Sequence, residues 1–303
     1  MNVTVIITTY NSPEWLEKVL WGYAVQTQPA AEIIIADDGS TDATRDMIER
    51  MRRDTGLPLK HIWQRDDGFR KCRILNKAIV ASQSPYLVFT DGDCIPRHDF
   101  VEVHAVNAQP GFYLSGGYNK LPLETSQAIS KDDVYAQRCF DVAWLRQHGM
   151  RFRKKHVKLC VSPGQARWLN RLAFTRCRFK GSNGSVWRED AIKVNGFDEC
   201  MVWGGLDREF GVRLVNAGIT PRHVRYSAIV VHLDHPRGYL DRERVNWNRS
   251  LRRRVEQQKI TVTPCGINEL TDPADGQSKP PVGQGMCRAG ASSRRRDPAE
   301  PRS

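Results

Sequence analysis

Three short clusters in this 303-residue chain hold side chains suited to metal and proton chemistry. Asp91-Gly92-Asp93 closes the apolar run Leu87-Val88-Phe89-Thr90. Two carboxylates at the end of a buried strand can hold a divalent cation beside a diphosphate, and their hard oxygens favour magnesium or manganese. His232-Leu233-Asp234-His235 follows the apolar run Ala228 to Val231 and offers two imidazoles three residues apart as further ligands. Trp203-Gly204-Gly205-Leu206-Asp207-Arg208-Glu209 places an acid between an aromatic-glycine turn and the helical spacing Phe210, Val212, Leu214, Val215. In the first turn of such a helix Asp207 either complements the helix dipole or acts as a general base in a crevice whose glycines let a substrate approach the backbone. The first two clusters also have plain structural readings, an Asp-Gly turn ending a strand and a structural histidine. Their occurrence in one chain shifts the weight toward chemistry.

Such residues act only if the fold brings them together. Val3 to Ile7 is a β-branched run of the kind a parallel sheet buries on both faces. Ser12 then reads as an N-cap and Pro13 as the first helical position, ahead of Trp15, Leu16, Val19 and Leu20. Glu32 to Ala36 reads as a second strand stopped by Asp37-Asp38-Gly39-Ser40, and Asp42 to Arg53 has helical spacing at Met47, Ile48 and Met51. A strand near Leu59 to Trp63, a helix near Cys72 to Ala81 and a strand at Tyr86 to Thr90 complete a βαβαβαβ series. With right-handed crossovers this series is an α/β, parallel, doubly wound sheet. Ligands of such sheets lie at the carboxyl ends of the strands. The polar clusters found there are Thr8-Thr9-Tyr10-Asn11, Asp37-Asp38, Asp66-Asp67-Gly68 and Asp91-Gly92-Asp93, and they are expected to share one crevice. Beyond Asp93 the pattern is mixed, with strands expected at Phe112 to Ser115 and Ser227 to Val231.

Lys and Arg number 46 against 34 Asp and Glu, a net charge of +12. The stretch from Arg138 to Lys180 alone carries +11, with Asp141 as its one acid, which points to anionic partners. Within it, Gln165 to Phe174 reads as a helix with Trp168, Leu169, Leu172 and Ala173 on one face, flanked by Arg167 and Arg171. That face either packs on the core or lies on an anionic membrane surface. Eight cysteines without a CxxC pair read as the thiols of a reduced, cytoplasmic chain. The N-terminus does not read as a secretory leader, and no apolar run approaches the roughly 18 residues of a membrane span. From Thr271 the composition turns to Pro, Gly, Ser and Arg, so 271–303 is expected to be a disordered tail after a basic helical extension over 241–270.

Taken in order, Thr8-Thr9-Tyr10-Asn11, Asp37-Asp38-Gly39-Ser40, Asp91-Gly92-Asp93 and Trp203-Gly204-Gly205-Leu206-Asp207-Arg208-Glu209 resemble the motif set of family 2 glycosyltransferases with the GT-A fold. Asn195-Gly196-Phe197-Asp198-Glu199 adds to the likeness, which spans roughly Asn2 to Tyr239. It is greatest toward bacterial members with a C-terminal half of the galactosyltransferase and N-acetylgalactosaminyltransferase type. The resemblance implies a catalytic domain over 1–240 on a Rossmann-like, mostly parallel sheet flanked by helices, with a nucleotide-sugar half over 1–100 and an acceptor half over 101–240. It further implies that Thr8, Thr9, Tyr10 and Asp38 hold the nucleotide base, and that Gly68, Arg70, Asn76 and Lys77 line the donor pocket. Arg70 or Lys71 would meet phosphate. Asp91 and Gly92 would face the ribose or sugar, Asp93 would bind Mn2+ or Mg2+ with His235 and His232, Trp203, Gly204 and Gly205 would meet the acceptor, and Asp207 would be the base. Leu206 departs from the family, where an acid often precedes the base.

The function this implies is metal-dependent, inverting transfer of a hexose or N-acetylhexosamine from a UDP-sugar to a glycan or lipid-linked acceptor in bacterial surface polysaccharide synthesis. One alternative is a basic nucleic-acid-binding protein that uses the tryptophans of the 138–180 stretch as stacking platforms. It leaves the acidic strand ends unexplained and has no recognisable nucleic-acid motif. The other is a GT-A-like protein that binds nucleotide sugar without turnover.

Overall fold

The computed structural model describes residues 1–151, 153–173, 175–235 and 242–271. Among these, ten strands run in chain order: β1 (Val3–Thr9), β2 (Glu32–Asp37), β3 (Leu59–Trp63), β4 (Tyr86–Asp91), β5 (Cys94–Pro96), β6 (Phe112–Ser115), β7 (Gly117–Lys120), β8 (Gly184–Trp187), β9 (Thr220–His223) and β10 (Ile229–His232). Seven of them form a sheet in the order β3-β2-β1-β4-β8-β6-β9. The first four are mutually parallel, and β8 runs antiparallel between β4 and β6. The sheet order turns back at β1, which has β2 on one side and β4 on the other, and doubly wound sheets open their crevice at such a point. Register completes the convergence, because Thr9 lies opposite Asp37 while Thr8 lies opposite Asp91.

The strands are buried on both faces because their apolar residues feed two cores alternately. Val3, Val5, Ile7, Ile33, Ile35 and Val88 enter one, under the helices Pro13–Ala24 and Asp42–Thr55. Ile6, Ile34, Ala36, Leu87 and Phe89 enter the other, under the helices Lys71–Ala81 and Leu206–Asn216. In this second core Phe210 stacks on Phe197 with centroids 4.3 Å apart, and both rings meet Phe89. Leu206 is also buried there. The position before the expected base is therefore a packing position.

β5, β10 and β7 form a second, three-stranded sheet. β5 is too short to be read from the sequence, yet it sets His232 of β10 opposite Cys94, the residue after Asp93. The strand expected at Ser227 to Val231 instead runs Ile229–His232. Ser12 does occupy the N-cap position, but its side chain makes no cap bond; its hydroxyl donates to the Tyr10 carbonyl at 3.1 Å. The helix expected over 165–174 spans Pro163–Arg171 and buries only Ala166, with Trp168 63% and Leu172 42% exposed. Its apolar face is thus not packed on the core. Cys200 and Cys265, both free thiols, bring their sulfurs to 2.9 Å across 65 residues of chain. Of the tail expected over 271–303, Thr271 ends the short helical turn Ile267–Thr271, and 272–303, with Cys287, lie outside the described residues.

The helix that carries Asp207 is tied down from inside. Arg213 and Glu209, both fully buried, form a two-pronged ion pair with N···O distances of 2.6 and 2.9 Å, and Arg213 also donates to the Val194 carbonyl. Arg213→Ala is expected to lower stability by about 3–5 kcal/mol, because Glu209 would remain buried without its counter-charge. Denaturant unfolding reads this directly, and a loss below about 1 kcal/mol would mean that the pair does not anchor the helix.

Candidate active site

At the β2 end of the crevice the two adjacent acids have separate tasks. Asp37 is fully buried and holds the turn, accepting from the Ser40 backbone N–H at 2.8 Å and meeting His61 Nε2 at 2.9 Å. Gly39, at φ +99°, lies so close to Asp66 that a Cβ would stand 2.6 Å from its backbone, which only glycine permits. Asp38 faces the crevice. Its carboxylate accepts from Gln64 Nε2 at 2.6 Å and from the Arg70 backbone N–H at 3.0 Å. Burial pushes its pKa up to about 6 against those two donors. Tyr10, at the end of β1, is half exposed and donates its hydroxyl to Asp66 at 2.9 Å. Thr9 is buried with its hydroxyl unpartnered among the described residues. Gly68 closes the rim at φ +74°, its N–H on Asp66.

The neighbouring strand end is charged. Asp91 accepts from the Thr8 hydroxyl at 2.9 Å and from the Lys71 ammonium at 2.6 Å. Burial alone would lower the Lys71 pKa, but Asp91 outweighs it, with Asp93 and Asp207 adding to the same effect, and the ammonium is held above its ordinary range. Gly92 packs its N–H on the Thr8 carbonyl at 2.8 Å, where a Cβ would come within 2.9 Å of that oxygen. Asp93 then points its Oδ2 at His235 Nε2, 3.0 Å away, and at His232 Nε2, 3.5 Å away. The two imidazoles lie nearly parallel, 11° apart. The Asp93 carboxylate, the Cys94 thiol and His232 bring ligand atoms within 4.8 Å of one another, and His235 meets Asp93 beside them; carboxylate oxygen and imidazole nitrogen are donors that a divalent cation of the manganese type can accept.

Asp207 lies in the first turn of its helix, as its spacing implies. Its carboxylate accepts from the Gly181 N–H at 3.3 Å and from the Arg208 N–H at 2.9 Å. Burial raises its pKa above the ordinary carboxylate value, with the charge of Asp91 adding to the rise. A carboxylate so placed is a stronger proton acceptor than one in water. The preceding turn, Trp203 to Gly205, takes Gly204 and Gly205 through positive φ. It is held from behind by Asn248, whose amide donates to the carbonyls of Val202, Trp203 and Gly204 at 2.7, 3.2 and 3.0 Å. Asn248 belongs to the helix Arg242–Gln257, so the extension beyond 240 takes part in shaping the site.

Not every expected residue reaches the crevice. Asn76 is fully buried, and its amide clasps the backbone of Phe197 in both directions, at 2.7 and 2.9 Å, as well as the Glu199 carboxylate at 3.0 Å. It braces the Asn195–Glu199 segment and is not available as a donor contact. Lys77 follows it on the same helix, half-buried, about nine ångströms of helix rise beyond Lys71. The Arg70 guanidinium is paired with Asp67 at 2.7 Å, and its backbone serves Asp38. Lys71 occupies the place at the acidic strand ends, and Gln64 and Asn248 are support residues that no local spacing marks.

Residues 4–116 match the family model described as glycosyl transferase family 2, and residues 171–236 match that of the N-terminal domain of galactosyltransferase. The chain carries a family 2 glycosyltransferase domain. The validoxylamine A glucosyltransferase of Streptomyces hygroscopicus subsp. jinggangensis is 28% identical over 249 residues, covering 78% of this chain and 56% of the relative. The chondroitin synthase of Escherichia coli is 24% identical over 265 residues, covering 77% of this chain and 35% of the relative. The chain thus spans about half the length, or less, of these relatives. Among solved structures, S. aureus TarS 1-349 in complex with UDP-GlcNAc superposes at TM-score 0.57 with 14% identity, covering 89% of this chain and 69% of that one. The mannosyltransferase PcManGT from Pyrobaculum calidifontis, in complex with GDP-Man and Mn2+, superposes at TM-score 0.54 with 20% identity, covering 85% and 62%. These likenesses establish the GT-A fold for the family 2 domain and its C-terminal half.

Proposed function

We propose that the chain is a metal-dependent, inverting glycosyltransferase that moves a hexose or N-acetylhexosamine from a UDP-sugar to a hydroxyl of a glycan or lipid-linked acceptor in bacterial surface polysaccharide synthesis. The observation that carries this reading is the contact of Asp91 with the Lys71 ammonium at 2.6 Å, where the charges of Asp93 and Asp207 also act, together with two imidazoles at the Asp93 carboxylate. A nucleic-acid groove would not collect carboxylates in this way, since they repel a phosphate backbone.

In this reading Tyr10 stacks on the uracil ring while Asp38, with a lone pair left on each oxygen, accepts its imide proton. Asp93, His232 and His235 would hold a divalent ion, manganese suiting the imidazoles better than magnesium, and when bound that ion would neutralise charge on the leaving diphosphate. Lys71 supplies a second positive charge on the same side. Asp207 takes the proton from the acceptor hydroxyl as that oxygen attacks the anomeric carbon from the face opposite the diphosphate, so the configuration inverts. The backbone N–H groups of Gly181 and Arg208 keep the Asp207 carboxylate oriented for that transfer. The exposed Trp168 and Leu172 beside Arg167 and Arg171 support peripheral contact with an anionic membrane bearing the acceptor. No helix among the described residues is long and apolar enough to cross a membrane.

The Asp38 assignment has a pH signature. Its pKa is about 6, so the carboxylate that must accept the imide proton is lost as pH falls through that value. Uridine, which carries no phosphate titrating in this range, is expected to bind more tightly from pH 5 to pH 7 with a midpoint near pH 6, and calorimetric titration should find the step absent in Asp38→Asn. A flat wild-type profile would remove Asp38 from base recognition.

The donor class is tested by thermal stabilisation with UDP, GDP and CDP, each with and without manganese. At about a hundred times its dissociation constant a ligand adds roughly 2.7 kcal/mol. Stabilisation by UDP with manganese and by neither other nucleotide is the expected result, and an equal response to GDP would overturn the uridine assignment.

A further inference from the structure

Behind the Asp207 helix lies a second concave site. Arg208, Gly211, Val212, Val215 and Asn216 recur at helical spacing and form one wall of a cavity of about 240 Å³. The segment before Lys180 contributes Arg176 and Arg178, and the Asn248 helix and its end contribute Arg252, Glu256 and Lys259. Five cations thus share the cavity with one acid. That acid is already engaged, since Glu256 pairs with Arg176 at 2.6 Å. Among the described residues no carboxylate lies within 4 Å of the guanidinium of Arg178, Arg208 or Arg252, or of the Lys259 ammonium.

Like charges from separate elements repel unless an anion stands among them. Partial burial, followed by the charges of Arg208 and Arg178, holds the Arg252 pKa below its usual value. A merely solvated basic face would spread such side chains outward, whereas these line one hollow. Guanidinium forks match the paired oxygens of phosphate and carboxylate. The location gives the anion a role. Arg208 directly follows Asp207, and Arg252 Nη1 stands 3.4 Å from where a Cβ on Gly205 would be, against the turn that leads into the base. An anionic group held here lies beside the acceptor side of the site.

We propose that this cavity binds a phosphate or carboxylate group carried by the acceptor, so that the chain selects an anionic acceptor over a neutral one. The word acceptor rests on the glycosyltransfer reading; the anion site itself does not.

The test is calorimetric titration of the full chain in EDTA, which disables metal-assisted phosphate binding at Asp93. The probes are inorganic phosphate, an oligogalacturonate, a neutral malto-oligosaccharide of equal length, and phosphatidylglycerol vesicles. Phosphate and oligogalacturonate are expected to bind, the neutral sugar to show no heat, and the double variant Arg178→Gln/Arg252→Gln to weaken both anions about tenfold or more. Arg178 is exposed and Arg252 half-buried, and neither has a carboxylate within 4 Å among the described residues, so the fold should survive, and an unchanged response to UDP with manganese verifies that it does. Anion binding that is absent in the wild type, or undiminished in the double variant, overturns the proposal. So does release from vesicles in the variant while both soluble anions are unaffected, which would make the arginines a membrane contact. Wild-type titration with UDP and manganese reports separately on the glycosyltransfer reading, so the two failures are distinguishable.

Discussion

Asp207→Asn is expected to lower sugar transfer by about 10²–10⁴-fold, the usual contribution of a positioned general base, while leaving UDP affinity as it was. The substitution keeps the shape of the side chain, and one amide oxygen still accepts a backbone N–H, so the turn formed by Gly205 and Asn248 should hold. What the variant lacks is a group able to take a proton. The pH profile offers a second readout. Because burial raises the Asp207 pKa, the acid limb of the rate should lie above the ordinary carboxylate range, with activity rising as the carboxyl ionises. At saturating donor, which removes the Asp38 dependence of binding, the limb should vanish in whatever residual activity Asp207→Asn retains. Steady-state assay of both proteins across pH, with UDP binding as the folding control, gives the answer. Turnover equal to wild type would remove Asp207 from the base role.

The second large effect belongs to Asp93. Outer-shell partners of a metal site are each worth about 10–100-fold in affinity, so removing a direct ligand in Asp93→Ala should weaken manganese-dependent UDP binding by at least about 100-fold. UDP binding without metal should change little, because the base contacts at Asp38 and Tyr10 are untouched. The two imidazoles converge on the Asp93 carboxylate, and either alone is a weak site. His235→Ala is expected to follow Asp93→Ala more closely than His232→Ala does, since His235 sits nearer the carboxylate, at 3.0 against 3.5 Å. Calorimetry with and without manganese separates the two contributions. Equal manganese stimulation in wild type and Asp93→Ala would place the ion elsewhere.

Much of this arrangement could be read from the chain before any coordinates, for a physical reason. β-branched runs that end in acids mark parallel strands and their carboxyl ends together, so Thr8, Asp38 and Asp91 announce both element and crevice. The register of β1 against β2 and β4 then brings them level. What stayed hidden depends on contacts distant in sequence. β5 is three residues long, yet with the Leu233 N–H on the Asp93 carbonyl it sets His232 against the Asp93 turn. Asn76 sits among the buried residues Ile74, Leu75, Ala78 and Ile79 of its helix, and its expected donor role gave way to the backbone of Phe197, 121 residues away, which no local pattern signals. Asn248 satisfies carbonyls 44 to 46 residues earlier, where an isolated asparagine in a basic helix reads as solvated. Leu206, which departs from the acid often found before the base in the family, is part of the core. The face of Trp168 and Leu172 had two readings at equal spacing, and its exposure counts against the one that packs it on the core.

The central claim is that one cation site at Asp93 forms with a nucleoside diphosphate in the crevice, and electron paramagnetic resonance of added Mn2+ tests it most directly. The free-ion signal of the wild-type chain should fall by about one equivalent per chain when UDP is present and by far less without it, as expected of a cation held jointly by protein and phosphate oxygens. No uptake of manganese in the presence of saturating UDP would contradict the account.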